Sequence, residues 1–126
     1  MIRLLIADDH PVVRAGLAGH FADEEGFEVV GQAAVGAQAV ELAAREKPDV
    51  VLMDLRMPVL DGVAATASIV ASGPDAPRVL ILTTYESDDQ ILAAIEAGAA
   101  GYLLKAAPQD EIVAVIRLFA TWQTAL

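Results

Sequence analysis

The stretch VVLMDLRMPVLDG, residues 50 to 62, runs from four consecutive apolar residues directly into Asp54. An apolar run without alternation is typical of a strand that is buried on both faces, as in a parallel sheet. Burying a carboxylate inside a strand is costly, so a carboxylate is expected there only where the strand ends and the side chain emerges into a site. We therefore interpret Asp54 as a functional residue at a strand end. Asp61 with Gly62 is instead interpreted as the entry to the next helix, where a capping role is preferred.

On both sides of this stretch, short β-branched runs alternate with Ala-rich segments of helical period. The strands are predicted at 2–7, 28–32, 50–53, 79–82 and 102–104, and the helices at 11–21, 37–45, 63–71, 88–97 and about 108–121. Pro11 and Pro108 suit first helical turns, and Gly98 suits a helix end. Five strand–helix pairs predict an α/β fold: a doubly wound, five-stranded parallel sheet with helices on both faces.

Apolar residues four apart predict the buried face of three of these helices. Such stripes must pack against the sheet, so they extend the predicted core from the strands to the helices. The stripes are Val13, Leu17 and Phe21; Ile91 and Ile95; and Ile112 and Ile116.

Composition excludes several classes of protein. At 126 residues, 56% of them hydrophobic, the chain is expected to form one domain with one shared core. No apolar run approaches the roughly 20 residues of a membrane helix, and the apolar start runs straight into Asp8 and Asp9 rather than a cleavage site. We therefore expect a cytoplasmic protein without membrane contact.

The side chains available for chemistry are equally restricted. The chain has no cysteine and two histidines, which excludes disulfides, thiolate chemistry and Cys-based zinc sites. The net charge of −10 would repel phosphate backbones, so direct binding of nucleic acid is not expected. Cations and basic partners fit this charge better.

Polar and charged side chains follow four of the five predicted strands. Because ligands bind beyond the carboxyl ends of parallel strands, we expect these side chains to share one site. Clustered carboxylates repel one another, so that either their pKa values rise or a cation lies among them. Magnesium, which takes oxygen ligands, is the expected cation. The residues are Asp8 and Asp9 after the first strand, Asp54 after the third, Thr83 and Thr84 after the fourth, and Lys105 after the fifth.

Some of these residues have plainer interpretations. Asp8 or Asp9 could cap the helix that begins near Pro11, although a consecutive pair is more than capping needs. Thr83 alone would be ordinary in a strand. We interpret His10 as an exposed or locally bonded residue beside the site. Surface or packing roles are assigned to His20, Trp122 and the acidic run at 23–25.

The motifs DDH, MDLRMPVLDG, LTTY and GAAGYLLK, in this order and spacing, resemble the response-regulator receiver domain of two-component signalling over residues 2 to 118. The segments IADDHPVVRAGL and GYLLK are similar to the NarL/FixJ, or LuxR-type, subgroup. The resemblance implies the flavodoxin-like strand order 2-1-3-4-5. It also implies a receiver domain over 1–121, with 122–126 as a C-terminal tail or the start of a linker to a DNA-binding output domain that is absent here.

The resemblance implies a role for each candidate residue. Asp54 would be the phosphoacceptor, acting with Thr83 and Lys105. The metal, Mg²⁺ or alternatively Mn²⁺, would be held by Asp8, Asp9, Asp54 and the backbone carbonyl of Arg56. Thr83 would be the switch hydroxyl and Tyr102 the aromatic switch residue.

The implied function is signalling rather than enzymatic catalysis. A sensor histidine kinase would supply the phosphoryl group, and the chain would catalyse only its own phosphorylation and dephosphorylation. Phosphorylation would switch helix 4, strand 5 and helix 5, or helices 1 and 5, with homodimer formation and control of transcription through the absent domain.

Three alternatives differ from this interpretation. An unphosphorylated receiver-like adaptor would usually have lost Asp54 or Lys105. A haloacid-dehalogenase-type phosphatase would have a second acid two residues after its nucleophile, where this chain has Arg56. A flavodoxin-like phosphate-binding module would have a Gly-rich or hydroxyl-rich loop after the first strand, where this chain has Asp8 and Asp9. One departure from many receivers is Ala106 directly after Lys105, where others have Pro, so a trans peptide bond is expected there.

Overall fold

Strands and helices alternate along the whole described chain, as the sequence predicts. The computed structural model describes residues 1–84 and 89–121. Residues 122–126, predicted as a tail or linker, and the predicted helix start at 88 lie outside these ranges. The elements are β1 Ile2–Ala7, α1 Pro11–Asp23, β2 Phe27–Ala33, α2 Gly36–Glu46, β3 Val50–Asp54, α3 Gly62–Val70, β4 Arg78–Thr83, α4 Asp89–Glu96, β5 Gly101–Leu104 and α5 Gln109–Ala120.

All five strands are parallel and lie in the order β2-β1-β3-β4-β5, which confirms the predicted fold class and strand order. β3 is at the centre, and each of its five residues is buried. The strand order reverses between β1 and β3. From β1 the chain first adds β2 on one side, and it then crosses to the other side of β1 to add β3, β4 and β5. Such a reversal opens a crevice at the carboxyl ends of the two strands.

The register of the sheet brings the candidate residues to this crevice. Ala7, the last residue of β1, pairs with Met53 of β3. Asp8 and Asp54 are the next residues on the two strands, so they follow at the same level. Thr83 ends β4 on the other side of β3.

Alternate residues of the same strands enter two separate cores, which explains why these strands show no polar alternation. Val51 and Met53 of β3 pack with α2, α3 and α4 on one face of the sheet. Val50 and Leu52 pack with α1 and α5 on the other face. A strand with apolar neighbours on both faces must be apolar at every position.

Most predicted helix ends are confirmed within one or two residues. The Asp61 side chain accepts a hydrogen bond from the Ala64 N–H at 2.9 Å and caps α3. Pro11 is in the first turn of α1. Gly98, with φ of +114°, ends α4 in a conformation that favours glycine. Pro108 is the residue before α5 rather than part of its first turn.

Two members of the predicted apolar stripes are not buried. Val13 is 36% exposed because it faces a cavity of about 190 Å³ between α1 and α5 rather than the packed core. Ile95 is 40% exposed, since the buried stripe of α4 continues from Ile91 to Ala94, three residues on. The other predicted stripe residues are buried.

Helix length bears on the membrane prediction. The longest described helix, α1, has 13 residues. Within the described ranges, no helix combines the length and hydropathy that crossing a membrane requires.

Candidate functional site

The carboxyl ends of the strands form a cleft of about 300 Å³. Polar and charged side chains line most of it, although the strands that lead to it are apolar. The arrangement follows from the parallel sheet, which places four strand ends at one edge. The lining residues are His10, Asp54, Leu55, Arg56, Thr83, Thr84 and Lys105.

Asp8 organises the turn between β1 and α1. Its side chain is fully buried, and its Oδ1 accepts a hydrogen bond from the His10 N–H at 2.9 Å. The Arg14 guanidinium donates to the Asp8 carbonyl at 2.7 Å. His10, not an aspartate, is the cap residue of α1, and α1 has no side-chain cap. The plainer interpretation of the acidic pair as a helix cap is therefore wrong.

Lys105 lies between two of the carboxylates. Its Nζ is 3.0 Å from Asp8 Oδ2 and 3.3 Å from Asp54 Oδ1. The Lys105 N–H donates to the Thr83 carbonyl at 2.8 Å, which fixes the start of this loop to β4. The Lys105–Ala106 peptide bond is trans, as predicted. One ammonium group thus faces a cluster of three acids.

Asp54 is buried, with 5% of its surface exposed. Burial first, and then the Asp8 carboxylate, raise the pKa of Asp54 from 3.8 to about 6, although Lys105 acts in the opposite direction. Above that pH the side chain is ionised and can act as a nucleophile. The environment thus leaves Asp54 charged but poorly compensated at neutral pH.

Three buried carboxylate oxygens have no hydrogen-bond donor among the described residues: Asp8 Oδ2, Asp9 Oδ1 and Asp54 Oδ2. Asp8 Oδ2 has the ion pair with Lys105 described above. Ligand atoms from Asp8, Asp9, His10 and Asp54 all lie within 4.8 Å of one another. Oxygen donors that converge in this way fit a hard divalent cation such as Mg²⁺.

His10 is exposed and locally bonded, as the sequence predicts: its side chain is 62% exposed, and its backbone N–H donates to Asp8 Oδ1. The sequence does not predict how close the ring comes to the acids, with Nδ1 3.0 Å from both Asp8 Oδ1 and Asp9 Oδ1. A side chain directly after two acids was the available signal. The sequence could not show that the ring turns back into the cluster, because this orientation depends on the turn that Asp8 builds.

The two predicted switch residues lie on neighbouring strands. Thr83 is 3% exposed at the end of β4 and lines the cleft. Tyr102 is 45% exposed on β5, where it pairs with Ile81 of β4. The structure therefore places a buried hydroxyl in the cleft and an exposed aromatic ring on the adjacent strand.

His20 has the packing role that was assigned to it. Its ring meets that of Phe21 edge-on, with the ring centroids 5.4 Å apart. Its Nε2 lies 3.6 Å from Glu24 Oε1. Trp122 lies outside the described residues.

Comparison with known proteins identifies relatives over nearly the whole chain. The model of the response regulator receiver domain family matches residues 4–117. Response regulator GacA of Pseudomonas aeruginosa is 45% identical over 117 residues, which are 93% of this chain and 54% of GacA. The chain thus spans about half the length of the curated relatives it matches.

Solved structures agree with these sequence matches. The signal receiver domain of NarL from Mycobacterium tuberculosis has a TM-score of 0.88 and 36% identity, over 95% of this chain and 96% of that domain. The receiver domain of sensor histidine kinase PA1611 from Pseudomonas aeruginosa, described with a magnesium ion in its active site cleft, has a TM-score of 0.84 and 29% identity, over 94% and 97% of the two chains.

Proposed function

The chain belongs to the response regulator receiver domain family, and we propose that it accepts a phosphoryl group on Asp54 from a sensor histidine kinase. The observation that carries this proposal is the position of Asp54. It is the last residue of the central strand β3, it is buried, and its Oδ1 lies 3.3 Å from the Lys105 ammonium. A nucleophile and a cation therefore adjoin one cleft.

The transfer is a displacement at phosphorus. A carboxylate oxygen of Asp54 forms a bond to the phosphorus of a phosphohistidine, and the bond between phosphorus and the imidazole nitrogen breaks, with its electron pair leaving on the imidazole. Lys105 then neutralises charge on the phosphoryl oxygens. Positioning and charge neutralisation are most of what a protein contributes to phosphoryl transfer.

The donor set fits Mg²⁺, with Mn²⁺ as its substitute. Asp8, Asp9, Asp54 and the backbone carbonyl of Arg56 would hold the ion. When bound, it would neutralise charge on the transferring phosphoryl group. The buried oxygens of the three acids that lack hydrogen-bond donors support this assignment, as does the magnesium in the cleft of the PA1611 receiver domain.

Phosphorylation is proposed to switch the surface beside Thr83. The Thr83 hydroxyl donates a hydrogen bond to a phosphoryl oxygen once β4 and its loop move inward, and the Tyr102 ring turns from its exposed position into the space vacated. Exposed apolar side chains lie on both of the surfaces that could transmit the switch: Leu92 (65%) and Ile95 (40%) on α4, Val12 (85%) on α1 and Leu118 (60%) on α5. We therefore propose either α4, β5 and α5, or α1 and α5, as the output surface.

The output is proposed from the longer relatives. GacA is about twice as long as the matched region, and LiaR of Bacillus subtilis is named as a transcriptional regulatory protein. We therefore propose that this chain, as a cytoplasmic domain, controls transcription through a C-terminal DNA-binding domain, with residues 122–126 starting the linker. Homodimer formation would accompany phosphorylation, and the chain would also catalyse its own dephosphorylation.

The first experiment is intact mass spectrometry after incubation with acetyl phosphate or phosphoramidate, with and without Mg²⁺. The wild type is expected to gain one phosphoryl group only with Mg²⁺, and Asp54→Asn is expected to gain none. Asp61→Asn is the matched control, because Asp61 follows in the same loop and caps α3 with its side chain. That variant should be labelled like the wild type.

Two results would contradict the proposal. Undiminished labelling of Asp54→Asn would place the phosphoryl group on another residue. No labelling of the wild type under any condition would favour the alternative of an unphosphorylated interaction adaptor.

A further inference from the structure

The His10 ring enters the acidic cluster from its open side. Its side chain is 62% exposed, yet Nδ1 is 3.0 Å from Asp8 Oδ1, 3.0 Å from Asp9 Oδ1 and 3.9 Å from Asp54 Oδ2. A nitrogen atom thus lies among the oxygens of three carboxylates.

A proton on Nδ1 does not provide a hydrogen bond to every carboxylate oxygen around it. It makes one hydrogen bond, to Asp8 Oδ1. The other two oxygens that face Nδ1, Asp9 Oδ1 and Asp54 Oδ2, are buried and have no hydrogen-bond donor within the described part of the chain. Because a buried acceptor without a partner is costly, a cation that contacts several of these oxygens at once would stabilise the cluster.

The separations between the donor atoms fit such a cation. In an octahedral shell with bonds of about 2.1 Å, neighbouring ligands are about 3.0 Å apart and opposite ligands about 4.2 Å. The distances from His10 Nδ1 to the oxygens of Asp8 and Asp9 match the first separation, and the 3.9 Å to Asp54 lies near the second. The four side chains can therefore share one ion.

We propose that His10 is a nitrogen ligand of this site, so that the site binds a divalent transition ion, represented by Ni²⁺ or Co²⁺, more tightly than Mg²⁺. Imidazole is a good ligand for these ions, whereas Mg²⁺ prefers oxygen and dehydrates reluctantly. The inference rests on the proposed function because the same acids serve phosphoryl transfer. His10 then sets which ion occupies the cleft.

The test is calorimetric titration of the untagged chain with Ni²⁺ and, separately, with Mg²⁺. His10→Ala is expected to weaken Ni²⁺ binding about tenfold or more and to change Mg²⁺ binding by less than about threefold. His20→Ala is the matched control, since it removes the chain's other histidine, whose partners are Phe21 and Glu24. It should bind both ions like the wild type.

Equal Ni²⁺ affinity of the wild type and His10→Ala would overturn the inference. So would equal losses for Ni²⁺ and Mg²⁺, because a nitrogen ligand discriminates between these ions. A proton NMR spectrum with Co²⁺ provides a second readout: the non-exchangeable ring C–H signals of a ligating His10 shift far outside the diamagnetic range, and ring C–H signals of His10 that stay within that range in the Co²⁺-bound protein would also overturn the inference.

Failure here is distinguishable from failure of the proposed function. If the wild type is phosphorylated with Mg²⁺ but His10→Ala keeps its Ni²⁺ affinity, then only the ligand role of His10 is wrong. If the wild type is not phosphorylated, the phosphoacceptor proposal fails, whereas the two affinities still decide the role of His10.

Discussion

Asp54 combines burial with charge, two properties that oppose each other in a folded protein. Its pKa of about 6 reflects the burial of the carboxyl and the neighbouring Asp8. Lys105 contacts both of these acids, so neither has a counter-ion of its own. The same poor compensation that makes Asp54 a nucleophile at neutral pH also makes it a source of instability.

Replacing Asp54 with Asn should therefore stabilise the metal-free protein near neutral pH. The folded-state pKa, about 6, lies above the ordinary 3.8, so the folded chain holds the proton more tightly than the unfolded chain. The stability associated with the protonated form is fully present below about 3.8 and is lost as the pH rises through 6, by on the order of 2–3 kcal/mol. Asn removes this loss.

Urea denaturation in EDTA measures the effect. The gain from Asp54→Asn should be largest near neutral pH and should vanish near about pH 4. Asp61 is an exposed carboxylate whose capping role Asn can fill, so Asp61→Asn should show no such dependence. A gain from Asp54→Asn that is constant with pH would contradict the charge argument.

The orientation of the His10 ring is the feature of the site that could not be predicted from the sequence. Asp8, Asp54 and Lys105 could be predicted to lie at one edge of the sheet because each lies at the carboxyl end of a strand of one parallel sheet. His10 lies beyond the end of β1, and the direction of its ring is fixed by the hydrogen bond from the His10 backbone N–H to Asp8 Oδ1. A turn contact of this kind leaves no periodic pattern in the sequence.

At the scale of an element, the loop between β3 and α3 holds an unusual backbone. Val59 and Leu60 have φ values of +49° and +82°, which a β-branched residue rarely adopts. The carbonyls of Pro58 and Val59 accept hydrogen bonds from the first N–H groups of α2, at 3.3 and 2.9 Å. Because α2 has no side-chain cap, these two backbone carbonyls cap its N-terminus instead.

Val59→Gly is expected to stabilise the fold by about 1 kcal/mol, because glycine adopts a positive φ without steric cost. The carbonyls that cap α2 belong to the backbone and are retained. Thermal unfolding of Val59→Gly measures the gain. Val12→Gly, at another exposed valine but within α1, should instead lower stability by a few tenths of a kcal/mol, up to about 0.5. Destabilisation by both changes would mean that Val59 is not strained.

The elements themselves could be predicted because each has a local signal. The apolar run before Asp54 and the cap residues Asp61 and Gly98 mark their ends directly. Val13 and Ile95 fit their stripes but are exposed, because helical periodicity identifies a face of the helix and not how far the neighbouring core extends along it. The backbone at Val59 gave no local signal, since the contacts with α2 stabilise it.

At the scale of the whole molecule, the strand order determines the site. The list of strands predicts a parallel sheet with helices on both faces, but many orders satisfy that pattern. The order 2-1-3-4-5 came from the resemblance to the family. It puts the acidic pair after β1 beside Asp54, and β5 with Lys105 beside β4. The same residues in another order would be spread along the edge.

Mg²⁺ can stabilise this acidic chain in two ways: by binding in the cleft, or by screening the repulsion among its negative charges. We expect millimolar MgCl₂ to raise the thermal midpoint of the wild type more than NaCl of equal ionic strength does. An ion that binds only the folded state stabilises it by about 2.7 kcal/mol at roughly 100 times its dissociation constant. Screening acts instead on all 18 acidic residues, so the NaCl sample measures that contribution.

Asp9→Asn should lose most of this magnesium-specific increment. Asp9 is the suitable acid to change, because Asp8 builds the turn before α1 and Asp54 is the nucleophile. Asp23→Asn alters the net charge equally at an exposed position at the end of α1, so it should keep the full increment. If the two variants respond to MgCl₂ alike, the ion acts on the overall charge and the cleft does not hold it.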